Sequence, residues 1–141
     1  MEREFTKKLL TWKNTNMDYP LIVIGARQIG KTYTINEFCK KNFKNYLYFN
    51  LEFEKEIYEI FEQTIDPKNI IRLIELKLEK KIDIDNTILF FDEAQNSERL
   101  ITSLKYFCES EIKYKIIVCG SLLGVKLNRF NSSFPVRKSS N

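Results

Sequence analysis

Gly25-Ala26-Arg27-Gln28-Ile29-Gly30-Lys31-Thr32 has the pattern G-x-x-x-x-G-K-[ST], with an apolar run immediately before it and a helical pattern after it. Glycine lets a backbone wrap around an anion, successive N–H groups point inward, and the following helix N-terminus adds partial positive charge. The chemistry this predicts is phosphate binding. Lys31 would reach the outer phosphates of a nucleotide and the Thr32 hydroxyl would meet a magnesium ion, which takes few protein ligands besides phosphate oxygens and water. At an average glycine usage of about 7%, such a match arises by chance in roughly one chain in a hundred or fewer, which disfavours a coincidental loop. The candidate nucleotide-binding residues are Gly25, Ala26, Arg27, Gln28, Ile29, Gly30, Lys31, Thr32 and Tyr33, although the side chains of Arg27 and Gln28 can equally be solvent-facing spacers.

About sixty residues later, Thr87-Ile88-Leu89-Phe90-Phe91-Asp92-Glu93 is an apolar strand pattern ending in two acids. Carboxylates at the C-terminal end of a buried parallel strand face the crevice in which such sheets bind ligands. Asp92 would hold magnesium, and Glu93 would orient and deprotonate an attacking water. An exposed Asp-Glu pair opening a helix is the plain alternative, and the phosphate-binding pattern in the same chain weighs against it. Cys119-Gly120-Ser121 ends another apolar run, so Ser121 could contact the γ-phosphate or the catalytic water, or simply form a turn. The four glycines, at 25, 30, 120 and 124, all follow either the apolar run Leu21 to Ile24 or the one ending at Cys119, as if their backbones flanked one ligand. Gln95 could support the water or cap the next helix, and its position does not choose.

The elements that must position these residues follow from periodicity. Phe5, Leu9 and Trp12 share a helical face over residues 4 to 13, and Pro20 closes a polar turn before Leu21 to Ile24. A helix after the loop carries Ile35, Phe38 and Cys39 on its inner face. Tyr46 to Leu51 reads as a strand, and a mixed acidic helical stretch follows it. Asp66-Pro67 is an N-cap and first-turn pair opening a helix to about Lys80. Asn96 or Ser97 can cap a helix bearing Leu100, Ile101, Leu104, Phe107 and Cys108, and Lys115 to Cys119 is the fourth strand. Short, nearly all-apolar strands separated by helices predict a parallel sheet covered on both faces, a three-layer α/β fold. Residues 1–127 form this domain, and 128–141, without amphipathic period, read as a loosely ordered tail.

Composition narrows the chemistry. The chain has 141 residues, 43% hydrophobic and 30% charged, which fits one soluble domain. Its longest apolar runs, of four residues, fall far below the roughly 20 of a membrane span. The N-terminus lacks a secretory pattern, so the expected compartment is cytoplasmic and no membrane contact is expected. With no histidine, catalysis by Ser-His-Asp or Cys-His arrangements is excluded, as are His-ligated metals. Cys39, Cys108 and Cys119 are far apart and read as packing thiols. The net charge of +4 comes from lysines scattered among glutamates, which makes a solvated surface a better reading than a nucleic-acid interface.

Gly-Ala-Arg-Gln-Ile-Gly-Lys-Thr, Tyr-Leu-Tyr-Phe-Asn-Leu-Glu, Leu-Phe-Phe-Asp-Glu-Ala-Gln and Val-Cys-Gly-Ser-Leu-Leu-Gly together resemble the prokaryotic predicted AAA+-superfamily ATPases, in which an ATPase domain precedes a C-terminal domain of unknown role. The resemblance implies a sheet ordered 5-1-4-3-2, Gly30, Lys31 and Thr32 on phosphate and magnesium, Asp92 on magnesium, Glu93 as catalytic base and Ser121 as a sensor. It breaks off after Phe134-Pro135-Val136, where similar proteins continue into a fifth strand. This predicts a truncated member with the fifth strand missing or incomplete and its arginine finger in doubt, a group worth about 10³ to 10⁵ in rate.

The leading expectation is therefore ATP and magnesium binding with hydrolysis. A truncated module that holds ATP without turning it over is the alternative. A small-molecule kinase is weaker, since no acceptor site or arginine-rich lid is visible, and a GTPase is disfavoured because no Asn-Lys-x-Asp run occurs. A homo-oligomer, DNA or a protein partner are all compatible with these residues.

Overall fold

In a computed structural model of the chain, described for residues 2–25, 29–121 and 137–138, the first four strands are separated by helices as the apolar pattern requires, with two helices in succession between the second and third strands. The order is α1 (Glu2–Thr15), β1 (Leu21–Ile24), α2 (Ile29–Asn42), β2 (Asn45–Asn50), α3 (Lys55–Gln63), α4 (Pro67–Leu78), β3 (Thr87–Asp92), a 3₁₀ turn (Ala94–Asn96), α5 (Glu98–Glu109), β4 (Lys115–Gly120) and β5 (Arg137–Lys138). All pairings are parallel and the sheet runs β5-β1-β4-β3-β2, the expected order.

The alternation of side chains along each strand sorts the core into two layers. Ile88 and Phe90 of β3 and Leu21 and Val23 of β1 pack with Leu9 and Trp12 of α1 and Ile35 and Phe38 of α2. Leu89 and Phe91 of β3, with Ile22 and Ile116, face the opposite layer of α3, α4 and α5, including Ile57, Phe61, Ile70 and Leu104. Every residue of β3 is buried, as expected of a central strand covered on both faces. The Trp12 indole N–H is satisfied by the Tyr19 carbonyl at 2.8 Å, which ties α1 to the turn leading into β1.

Local signals set the helix ends. Asp66 accepts from the Asn69 N–H, with Pro67 in the first turn of α4. Of the two candidate caps for α5, Ser97 does the work, accepting from the Leu100 N–H at 3.1 Å, while Asn96 donates back to the Glu93 carbonyl. The helix expected to reach Lys80 stops at Leu78, because Glu79 turns into the left-handed region at φ 56° and the chain reverses there.

A fifth strand, expected to be missing or incomplete, is described at Arg137 and Lys138, which pair with Val23 and Ile24 of β1. It falls inside the segment read as a tail, since two residues carry no periodic signal. The rest of 128–141 lies outside the described residues, as does Gly124.

Candidate functional site

Each sequence-selected segment emerges at the C-terminal end of the parallel sheet. β1 leads into the loop before α2, β3 ends in Asp92, and β4 ends in Gly120, so three neighbouring strands deliver their termini to one edge. The path from β1 to β2 passes across β4 and β3, and this reversal of strand order opens the crevice in which ligands of open α/β sheets bind.

Thr32, in the first turn of α2, and Asp92 meet directly. The threonine hydroxyl donates to Asp92 Oδ2 at 3.1 Å. The same oxygen accepts from the Tyr48 hydroxyl at 2.8 Å, and Oδ1 accepts from the Glu93 N–H at 2.8 Å. Asp92 is only 4% exposed, and burial pushes its carboxyl above the ordinary 3.8, opposed by the three donors. A buried carboxylate beside a hydroxyl supplies hard oxygen donors, the kind that magnesium selects.

Lys31 precedes Thr32 and is 6% exposed, with its Nζ 5.6 Å from the centre of the Phe5 ring on α1. Burial lowers its ammonium below the ordinary 10.5, with Cys119 acting to raise it and Lys8 to lower it further. A desolvated cation of this kind favours an anion beside it. Cys119, on β4, is influenced by Asp92, Lys31 and Glu93, and burial above all pushes its thiol up to about 12.

Gly30 is helical, and nothing among the described residues stands within 4 Å of where its Cβ would be. No described glycine adopts positive φ, so the expected conformational role of glycine is not seen at Gly30. Tyr33 follows Thr32 on α2 with 57% of its surface exposed. Ala26, Arg27 and Gln28 lie outside the described residues, and Ile29 is described in its backbone alone.

Glu93 sits in the left-handed region, φ 54° and ψ 41°, where non-glycine residues are uncommon and which recurs at functional sites. Its carboxylate accepts from the Gln95 side-chain amide at 2.7 Å, and the Gln95 carbonyl oxygen accepts from the Ser121 N–H at 3.2 Å. Gln95 therefore bridges two candidate residues, whereas its sequence position had offered either a water contact or a helix cap.

Tyr48 was not singled out from sequence. The signal was available: Tyr46 and Tyr48 alternate on β2, pairing with Ile88 and Phe90 on β3, and a tyrosine hydroxyl brought near a buried strand end needs a polar partner. Tyr46 donates to Asn36 of α2, and Asn50 supports Tyr48 with its side-chain N–H at 3.4 Å while accepting from the backbone N–H groups of Glu52 and Phe53.

Strand order, covered faces and a loop-to-helix phosphate pattern beside a strand-end carboxylate define a P-loop NTPase-like α/β domain, of the nucleotide-binding ATPase type. The chain belongs to the AAA domain family, whose model matches residues 17–140. Among solved structures it is similar to that of C. elegans PCH-2, with a TM-score of 0.43 and 12% identity, over 99% of this chain and 40% of that one. The chain thus spans well under half the length of that protein. No curated protein matches the sequence. Among the described residues, no helix is long and apolar enough to cross a membrane.

Proposed function

We propose that this domain binds ATP with magnesium between the Gly25–Thr32 segment and the Asp92–Glu93 pair, and that it hydrolyses the γ-phosphate bond. The observation that carries the reading is the Thr32–Asp92 hydrogen bond, which joins the two halves of the motif pair at one point. The absence of any described residue within 4 Å of a Cβ at Gly30 and the desolvated Lys31 cation support approach of an anion here.

In this reading the backbone of residues 25 to 33 and the Lys31 ammonium hold the phosphates, and Ser121, at the end of β4, senses the terminal one. Thr32 and Asp92 would hold magnesium, which when bound neutralises phosphate charge and polarises the bond to be broken. Glu93 accepts a proton from the attacking water. Tyr48 and the Glu93 N–H keep the Asp92 carboxylate oriented.

The test is Glu93→Gln, which should keep ATP affinity and abolish phosphate release. Equal release from wild type and variant would contradict the assignment. The engagement of the Glu93 carboxylate by Gln95 favours one second reading, a module that holds ATP without turning it over. Single-turnover chemistry separates the two: bound ATP that stays intact over hours identifies the non-hydrolysing module.

A further inference from the structure

The 3₁₀ turn after β3 places one amide side chain between two strand ends. Gln95 Nε2 donates to Glu93 Oε1 at 2.7 Å, and Gln95 Oε1 accepts from the Ser121 N–H at 3.2 Å. Only one orientation of the amide satisfies both partners, because a carboxylate accepts and a backbone N–H donates.

The close approach of β4 is conditional on Gly120. A Cβ at that position would stand 2.5 Å from Gln95 Oε1, 3.1 Å from the Ala94 nitrogen and 3.2 Å from the Gln95 nitrogen. The first contact could be relieved by moving a flexible side chain, and the other two are against backbone. Ala94 is fully buried, so the turn has little room to retreat. Gly120 thus owes its missing side chain to the Gln95 amide and the turn that carries it.

We propose that Gln95 is a positioning residue that fixes the Glu93 carboxylate relative to the end of β4, with Gly120 as the spacer that lets the amide sit there. The proposal rests on the reading of Glu93 as general base. A base must lie within hydrogen-bond reach of the water it deprotonates, and a displacement of about 1 Å can cost about 100-fold in rate. Bound to Ser121 through its other end, Gln95 makes the carboxylate's position depend on where the β4 terminus stands. A nucleotide contact at Ser121 would then be transmitted to Glu93 through one side chain.

The experiment uses the full chain with Mg-ATP and compares wild type, Gln95→Ala, Gln95→Glu, Gly120→Ala, the Gln95→Ala/Gly120→Ala double variant and Glu93→Gln. Expected is a fall in kcat of about 10- to 100-fold for each Gln95 variant with KM unchanged. Gln95→Glu is the most severe case: it keeps the size and the acceptor for Ser121 but exchanges the donor to Glu93 for a second carboxylate, so an unchanged kcat there would show that the contact does not position Glu93. The double variant should turn over no more slowly than the worse single variant, since both disable one device.

Wild-type kcat in Gln95→Glu, with Glu93→Gln inactive, overturns the positioning role and leaves the base assignment standing. Full turnover by Glu93→Gln removes the base instead. A second arm is independent of turnover and of whether Gly120→Ala folds: the Gln95 side-chain amide resonances of the nucleotide-free chain should move to solvent-exposed values in Glu93→Ala. Unchanged resonances mean that the amide does not hold the carboxylate, and the proposal fails.

Discussion

Thr32 and Asp92, sixty residues apart in sequence, meet at 3.1 Å with the hydroxyl donating to the carboxylate. The contact links the first turn of α2 to the last residue of β3, although β1 and β3 are not adjacent and β4 lies between them. It is possible because parallel strands all end on one side, so residues following different strands converge without any strand bending.

The Asp92 carboxylate carries a cost that a cation would offset. Burial raises its folded value above 3.8, so the folded chain holds that proton more tightly than the unfolded chain does. This group favours folding at low pH, and the contribution is lost as pH rises from 3.8 through the folded value. Asp92→Asn should therefore be more stable than wild type at pH 7, by about 1 kcal/mol, with the gain shrinking as pH falls towards 3.8. ATP affinity of the variant should no longer respond to magnesium. Urea melts across pH and nucleotide titrations with and without magnesium check both halves.

Tyr48 supplies one of the donors that oppose that rise. Tyr48→Phe deletes the hydroxyl and should push the Asp92 carboxyl still higher, so that magnesium-dependent nucleotide binding weakens at a higher pH than in wild type. The expected loss of stability at neutral pH is about 1.5 to 3 kcal/mol, typical of a hydrogen bond to a charged group. A variant with the wild-type pH profile would show that Tyr48 is packing alone.

Lys31→Ala removes a cation that burial disfavours, its value being lowered below 10.5. Because the folded chain releases this proton more readily than the unfolded chain, the ammonium detracts from stability at neutral pH, and the penalty fades as pH rises towards 10.5. ATP affinity should fall by about 100-fold, while the thermal midpoint at pH 7 stays level or rises by a few degrees. Isothermal titration with scanning calorimetry would check this pair of outcomes. A drop in affinity together with a collapse of the fold would count against a binding role for Lys31.

Part of the candidate site is legible in the sequence alone. The loop Gly25 to Thr32 and the acids at 92 and 93 announce themselves through residue type and spacing, and β3 through a run buried on both faces. Ile35, Phe38, Leu100 and Leu104 follow the helical period and are buried. What escaped depends on pairs across the sheet. Tyr48 matters only because β2 lies beside β3 in a register that sets Asn50 against Asp92. Gln95 could not be assigned because its partners belong to two different strand ends. The two residues of β5 hold a place by pairing with β1, which no local pattern encodes.

Glu93 supplies the final test, through its backbone. It and Glu79 are the two non-glycine residues at positive φ among those described, 54° and 56°. An L-residue with a Cβ costs about 1 to 2 kcal/mol there relative to glycine. At Glu79 the conformation ends α4, as a left-handed residue commonly ends a helix. At Glu93 it reverses the chain after β3, so that the N–H reaches Asp92 Oδ1 and the side chain reaches Gln95. Glu93→Gly should thus be about 1 kcal/mol more stable than Glu93→Ala, although both lose hydrolysis. Glu79→Gly should gain a similar amount over Glu79→Ala with turnover intact. Denaturant midpoints of the four variants, read beside phosphate release, would show whether the strain at Glu93 is retained for the site. Equal stability of Glu93→Gly and Glu93→Ala would mean that no strain is stored at that turn.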